Sequence, residues 1–198
     1  MSLVLEKYAT RELYIEQNEI VTNWLHILSL RDSDTEEHAR RVTELTIKLA
    51  HLLGIADSEM LSIWCGAMLH DIGKLAIPES ILHKPEPLTK EEWEVMRLHP
   101  WIGAEMIKHN AYLSHVANIP LRHHEKWNGS GYPDGLIGEQ IPLSARIFAF
   151  ADVYDALTSE RPYRSAWKQT DALDYILQQS GIHFDPMITP VFIKIFSG

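Results

Sequence analysis

The pentapeptide His70-Asp71-Ile72-Gly73-Lys74 places the strongest constraint on what this chain can fold into. An imidazole and a carboxylate in one turn suit a divalent metal, but two ligands are too few to hold it. The residues able to complete the set, His38, His99, the doublet His123-His124 and Asp152, are scattered over the sequence, each in or beside a stretch of helical character. Any fold that uses them must bring several helices to one point. A histidine-rich donor set with carboxylates and no cysteine favours Fe, Mn or Zn in a hydrolytic centre over an iron–sulfur cluster or a structural zinc knuckle. A metal-dependent hydrolase is therefore expected.

The patterning is helical from end to end. Residues 3–30 carry Leu5, Tyr8, Ile15, Ile20, Trp24, Ile27 and Leu28 at irregular helical spacing with no glycine or proline, which fits one or two helices. Ser33 and Asp34, with Glu36 and Glu37 three positions on, form overlapping capping boxes for a helix through Val42, Leu45, Leu49 and Leu52 that stops at Gly54. Asp57 starts a helix expected to end near His70. Thr89 and Glu92 repeat the capping box, and Pro100 sits in the first turn of a helix ending near Asn110. Residues 111–124, 144–158 and 170–179 are read as helices, and Asp185-Pro186 as the N-cap and first-turn proline of a last one. Gly129, Gly131, Pro133, Gly135, Gly138 and Pro142 make 125–143 the one long irregular loop, and such loops are usually functional when ordered. No segment reads as a convincing strand, and there are no repeats.

Composition narrows the function. With 198 residues, 45% of them hydrophobic, the chain can bury the core of one domain plus a helical extension. The longest apolar run, residues 147–151, is far below the roughly 20 residues of a membrane span, and no signal sequence opens the chain, so a soluble cytoplasmic protein is expected. The net charge of −9 argues against a groove for polymeric nucleic acid, which needs a basic stripe. It leaves room for a small phosphorylated substrate, because bound divalent ions would invert the local sign. Cys65, within an apolar run, reads as a small buried hydrophobe.

Asp34 and His38, four apart, share one helix face and can reach a common ion, although a lone Asp before a helix is as often only a cap. His123 and His124 at a helix end can serve two ions that share a bridging group. His26, His51, His83, His109, His115 and His183 lack a carboxylate, second histidine or glycine turn beside them and read as ordinary side chains. Unperturbed histidine ligands would lose metal as pH falls through about 6.5.

The series Arg31-Asp32-x-Asp34-Thr35-x-x-His38, His70-Asp71-Ile72-Gly73-Lys74, His99-Pro100, His123-His124-Glu125-x-x-Asn128-Gly129-x-Gly131-Tyr132-Pro133 and Ala151-Asp152-Val153-Tyr154-Asp155 resembles the HD-GYP family of bacterial phosphodiesterases. Arg161-Pro162-Tyr163-Arg164 and Gly181-x-His183-Phe184-Asp185-Pro186 extend the resemblance, which covers residues 31 to about 196. It implies an all-α, HD-domain-like helical bundle over residues 31–198, with residues 1–30 as an N-terminal helical extension. It implies hydrolysis of cyclic di-GMP to linear pGpG, and onward to GMP in some members, using two or three divalent ions, usually Fe or Mn, with Zn, Ni or Co as alternatives.

In that scheme Asp71 bridges two ions, His38, His70 and Asp152 complete one site, and His99, His123 and His124 serve the others. Lys74, one turn from His70, would neutralise the phosphate as charge builds. Gly131, Tyr132 and Pro133 would admit a flat guanine, and Arg161 with Arg164 would fork onto phosphate, where without the resemblance they read as a solvated pair. The family usually has Glu where this chain has Asp34, a carboxylate shorter in reach by about 1.5 Å, so a third ion is expected to be weak. The alternatives are another HD-type nucleotide phosphohydrolase, against which the glycine loop argues, and a non-catalytic cyclic di-GMP receptor, against which Asp71 and Lys74 argue. If a second copy or a sensor domain docks, the N-terminal helices are the expected surface.

Overall fold

The computed structural model describes residues 11–32, 35–160 and 164–196. Among them are ten α-helices, two single 3-10 turns and two isolated bridges, with no strand. The helices are α1 (Arg11–Ser29), α2 (Thr35–Leu52), α3 (Asp57–Met68), α4 (Glu79–Leu82), α5 (Lys90–Met96), α6 (His99–Lys108), α7 (Asn118–Arg122), α8 (Leu143–Thr158), α9 (Gln169–Gln178) and α10 (Thr189–Lys194). No described helix is long and apolar enough to cross a membrane.

The core forms where α2, α3 and α8 meet. Val42 and Leu49 of α2, Met60 and Cys65 of α3, and Ile147, Phe148 and Phe150 of α8 are buried together, as the apolar spacing predicts. Cys65 is the buried hydrophobe expected. Phe150 stacks on Phe184 at 4.6 Å and lies 5.2 Å from Phe192, which seals the far side of α8 with the C-terminal segment. Helix α1 contributes Val21, Leu25 and Leu28 to the same core. Beyond its end, Arg31 donates to the Leu75 and Ile77 carbonyls, the latter at 3.0 Å, and so ties the chain to the 3-10 turn Ile72–Ala76.

Three expected elements differ. Helix α3 stops at Met68, and His70 and Asp71 follow in tight turns, the His70 amide donating to the Ala67 carbonyl at 3.4 Å and the Ile72 amide to the Leu69 carbonyl at 3.1 Å. Residues 111–124 are not one helix: Asn110 accepts from the Tyr112 amide at 3.0 Å, buried Leu113 and Val116 follow in tight turns, and only Asn118–Arg122 is helical. Starting there puts Pro120 in a first turn, where its missing N–H costs little, rather than deep inside a helix. The final helix begins at Thr189 with Pro190 in its first turn. Asp185 instead closes the preceding turn by accepting from the Met187 amide at 2.8 Å, while Arg146 donates to its other oxygen at 2.6 Å. The Thr89–Glu92 capping box forms as read. The pair at Ser33 and Asp34 lies outside the described residues.

Residues 123–142 contain one 3-10 turn, Gly138–Gln140, and one bridge, Asn128 with Ile137. Buried Glu125 latches this segment by accepting from the Asp134 amide at 2.9 Å and the Leu136 amide at 3.0 Å. At Gly131 a Cβ would lie 2.5 Å from the His124 carbonyl oxygen and from the Glu125 Cα, so only glycine lets the loop close on its own start.

Candidate metal centre

Three of the histidines follow the ends of short helical segments and are held by the chain that carries them. His70 Nδ1 lies 2.9 Å from the Ala67 carbonyl, His99 Nδ1 2.8 Å from Met96, and His123 Nδ1 2.9 Å from Pro120, in each case three residues back. A carbonyl only accepts, so in the neutral imidazoles each Nδ1 carries the proton and each Nε2 the lone pair. Those lone pairs converge on Asp71. Its Oδ1 is 3.3 Å from His99 Nε2 and 3.8 Å from His123 Nε2; its Oδ2 is 3.2 Å from His70 Nε2 and 2.7 Å from Lys74 Nζ. Phe148 floors the cluster, 4.8 Å from the His70 ring.

His38, from α2, is held from a distance. Its Nδ1 lies 2.7 Å from Asp155 Oδ2 and its Nε2 3.3 Å from Asp152 Oδ1, both on α8. Phe148, Asp152 and Asp155 share one face of α8 at helical spacing. Arg41, one turn past His38, grips Asp155 through Nε at 2.6 Å and Nη2 at 3.0 Å. Asp155 is the member of this cluster that the sequence did not single out; its position three after Asp152 was the available signal. Asp155→Ala is expected to weaken the ion held with His38 by about 10- to 100-fold, the usual cost of losing a partner that orients a ligand. The ion at His99, His123 and His124 should be retained. Titration of metal against each variant checks this, and equal weakening of both ions would refute it.

The donors fit a metal. His99 Nε2 and His123 Nε2 are 3.2 Å apart, two lone pairs aimed at each other, which is repulsive unless a cation sits between them. Donor atoms at 2.0–2.1 Å from one ion lie about 2.9–3.4 Å from each other, and the His99–His123, His99–Asp71, His70–Asp71 and His38–Asp152 separations all fall in that range. Two groups of three emerge, His99 with His123 and His124, and His38 with His70 and Asp71, the donor atoms of each within 4.8 Å of one another.

The glycine loop serves this cluster more directly than expected. Tyr132, expected to face a guanine, stacks on His124 at 4.6 Å and 28°, bracing that imidazole, and Gly131 makes the approach possible. Pro133 follows in the same turn. Arg164, expected to reach phosphate, donates through Nη2 to the Ala156 and Leu157 carbonyls, the latter at 3.3 Å, and lies 5.7 Å from the Trp167 ring, with no hydrogen bond or ion pair to the cluster among the described residues. It caps the end of α8. Asp34 and Arg161 lie outside the described residues.

Electrostatics separate the two groups. Burial makes protonation of His124 costly, with His99 adding to the effect, and pushes its pKa down to about 3; His123 is held well below the ordinary range and His99 is lowered for the same reason. Burial acts the same way on His38, but the Asp152 and Asp155 carboxylates outweigh it and raise His38 to about 9. Burial opposes the charge on Asp71, which Lys74 and the imidazoles hold well below the usual carboxylate range.

Acidification should therefore remove the ions in sequence. Below about pH 9 an ion at His38 must displace a proton, so its affinity falls roughly tenfold per pH unit, whereas His99, His123 and His124 are all shifted the other way and compete less with an ion for protons. Metal counts after dialysis at pH 9, 7.5 and 6 should show one ion lost first. Simultaneous loss near pH 6.5, the behaviour of ordinary histidines, would refute this.

The HD domain family matches residues 24–188. This chain belongs to the HD domain family. As an HD domain it is 43% identical over 92% of its length to the cyclic di-GMP phosphodiesterase response regulator RpfG of Xanthomonas campestris, of which it covers 49%. It is 42% identical over 89% of its length to 3'3'-cGAMP-specific phosphodiesterase 2 of Vibrio cholerae, of which it covers 34%. The HD domain thus spans half or less of these curated relatives. Among solved structures its fold matches that of Bd1817, an HDG"Y"P protein from Bdellovibrio bacteriovorus, at a TM-score of 0.68 with 20% identity, over 100% of this chain and 67% of that one.

Proposed function

We propose that this HD domain is of the HD-GYP type and hydrolyses cyclic di-GMP, with catalysis in residues 31–198 and α1 as an extension packed on them. The observation that carries the reading is the Asp71 carboxylate, which stands between the two donor groups with the Lys74 ammonium on its Oδ2. His38, His70, Asp71 and Asp152 would hold one divalent ion and His99, His123 and His124 another, Fe or Mn being the expected metals. Bound ions supply a water of lowered pKa and charge that polarises a phosphoryl oxygen.

The chain's own residues do the rest. Asp71 and the imidazoles fix where water and phosphate can sit, and Lys74 offers N–H donors to the oxygen that gains charge as water attacks phosphorus. The phosphorus–3'-oxygen bond then breaks, the 3'-oxygen takes a proton, and a 5'-phosphorylated linear dinucleotide leaves.

The similarity to a relative named for 3'3'-cGAMP favours a second reading, with that dinucleotide as substrate. Chromatography of both cyclic dinucleotides after incubation with anaerobically prepared, Fe- or Mn-loaded protein tests both. Conversion of cyclic di-GMP to pGpG supports the first reading. Turnover of 3'3'-cGAMP alone supports the second, and turnover of neither refutes both.

A further inference from the structure

Arg97 follows α5 and precedes His99 by two positions. It is exposed and pairs with no carboxylate among the described residues. Its guanidinium carbon lies 5.3 Å from the centre of the Tyr132 ring and 5.9 Å from the centre of the Trp93 ring. Tyr132 stacks on His124, a member of the three-histidine group. Trp93 is 46% exposed. Running outward from the cluster, the chain thus lines up an imidazole, a phenol, a guanidinium and an indole, the last two open to solvent.

Flat neighbours restrict how a guanidinium can turn while leaving its N–H edge free, which suits it to planar, two-point recognition. A phosphate also accepts such a fork but makes no use of an aromatic wall. A purine does use one. Guanine also presents two acceptors, O6 and N7, to the arginine fork, where adenine replaces one acceptor with a donor. We propose that Arg97, braced by Tyr132 and Trp93, reads the O6/N7 edge of one base of a cyclic dinucleotide and so makes this site select guanine over adenine. The inference rests on the reading of the ligand as a cyclic dinucleotide; it does not require turnover.

Calorimetric titration of metal-loaded wild type, Arg97→Ala and Arg97→Lys with cyclic di-GMP, 3'3'-cGAMP and cyclic di-AMP tests it, with turnover measured separately and circular dichroism to confirm folding. The wild type should prefer cyclic di-GMP to cyclic di-AMP. Arg97→Ala should cut that preference by roughly 5- to 150-fold, the worth of a two-point contact to one base, and change affinity for cyclic di-AMP little. Arg97→Lys, charged but without the planar fork, should retain only part of it. Equal weakening of all three ligands would mean a phosphate contact and overturn the proposal, as would an unchanged preference. Wild type that binds with this preference but does not turn over would refute the catalytic reading and leave the inference standing. Wild type that binds no cyclic dinucleotide would refute both.

Discussion

Asp71→Ala is expected to lower turnover by at least about a thousandfold, equivalent to some 4 kcal/mol of transition-state stabilisation, and to strip metal from both donor groups. The reason is the number of partners one carboxylate serves. Its two oxygens lie within 3.8 Å of His70, His99, His123 and Lys74. Without it the two groups lose the anion between them, and the Lys74 ammonium, only 23% exposed, keeps Asp32 at 4.0 Å as its other ion-pair partner among the described residues. Asp71→Asn, which preserves shape, should lose nearly as much metal and activity while keeping the fold, because an amide oxygen is a poor substitute for a charged ligand. Elemental analysis beside a cyclic di-GMP assay decides the matter. A variant that retains both ions and wild-type turnover would remove Asp71 from the centre.

Gly73→Ala should destabilise the chain by roughly 3 kcal/mol or more, as overpacking against rigid neighbours does, and should release metal without altering a ligand. A Cβ on Gly73 would overlap the His99 carbonyl oxygen and sit 2.7 Å from the Gly103 amide nitrogen and 2.8 Å from the His99 carbonyl carbon. All are backbone atoms, so no side chain can swing aside. Relief requires α6 to move off the 3-10 turn, and His99 moves with it, away from Asp71. Gly103 faces the same crossing with its nearest atoms at 3.1 and 3.2 Å, so Gly103→Ala should be milder. Gly54→Ala has open space, and its cost of about 1 kcal/mol comes from the positive φ of 73° alone. Thermal melts of the three variants should rank in that order, and a Gly73→Ala protein as stable as the wild type would refute the crossing.

What the sequence made legible was local. The Thr89–Glu92 box, the proline-led start of α6, the buried face of α2 and the donor residues themselves could be read because each is written within a turn or two of chain. What the sequence did not show depended on partners far away. Asp155 holds His38 across 117 positions. Arg31 reaches carbonyls 44 and 46 residues on, and Gly73 is needed because α6 crosses it. The stack of Tyr132 on His124 was hidden too, because nothing in the order of residues says that the loop folds back onto that histidine. Nor does the order of residues show that Arg164 Nη2 turns onto helix-end carbonyls.

His70, His99 and His123 share one further property, each imidazole being fastened to a carbonyl three residues before it. Those orientations are written into three short peptides and survive as long as each peptide keeps its own turn. His38 has no such anchor and takes its orientation wholly from the packing of α2 against α8. A chain that is loosened but still compact should therefore keep a nearly competent half-centre at the three-histidine group and lose the other half first. Whatever tightens or slackens the α2–α8 contact in a longer protein would act on one ion and spare its neighbour.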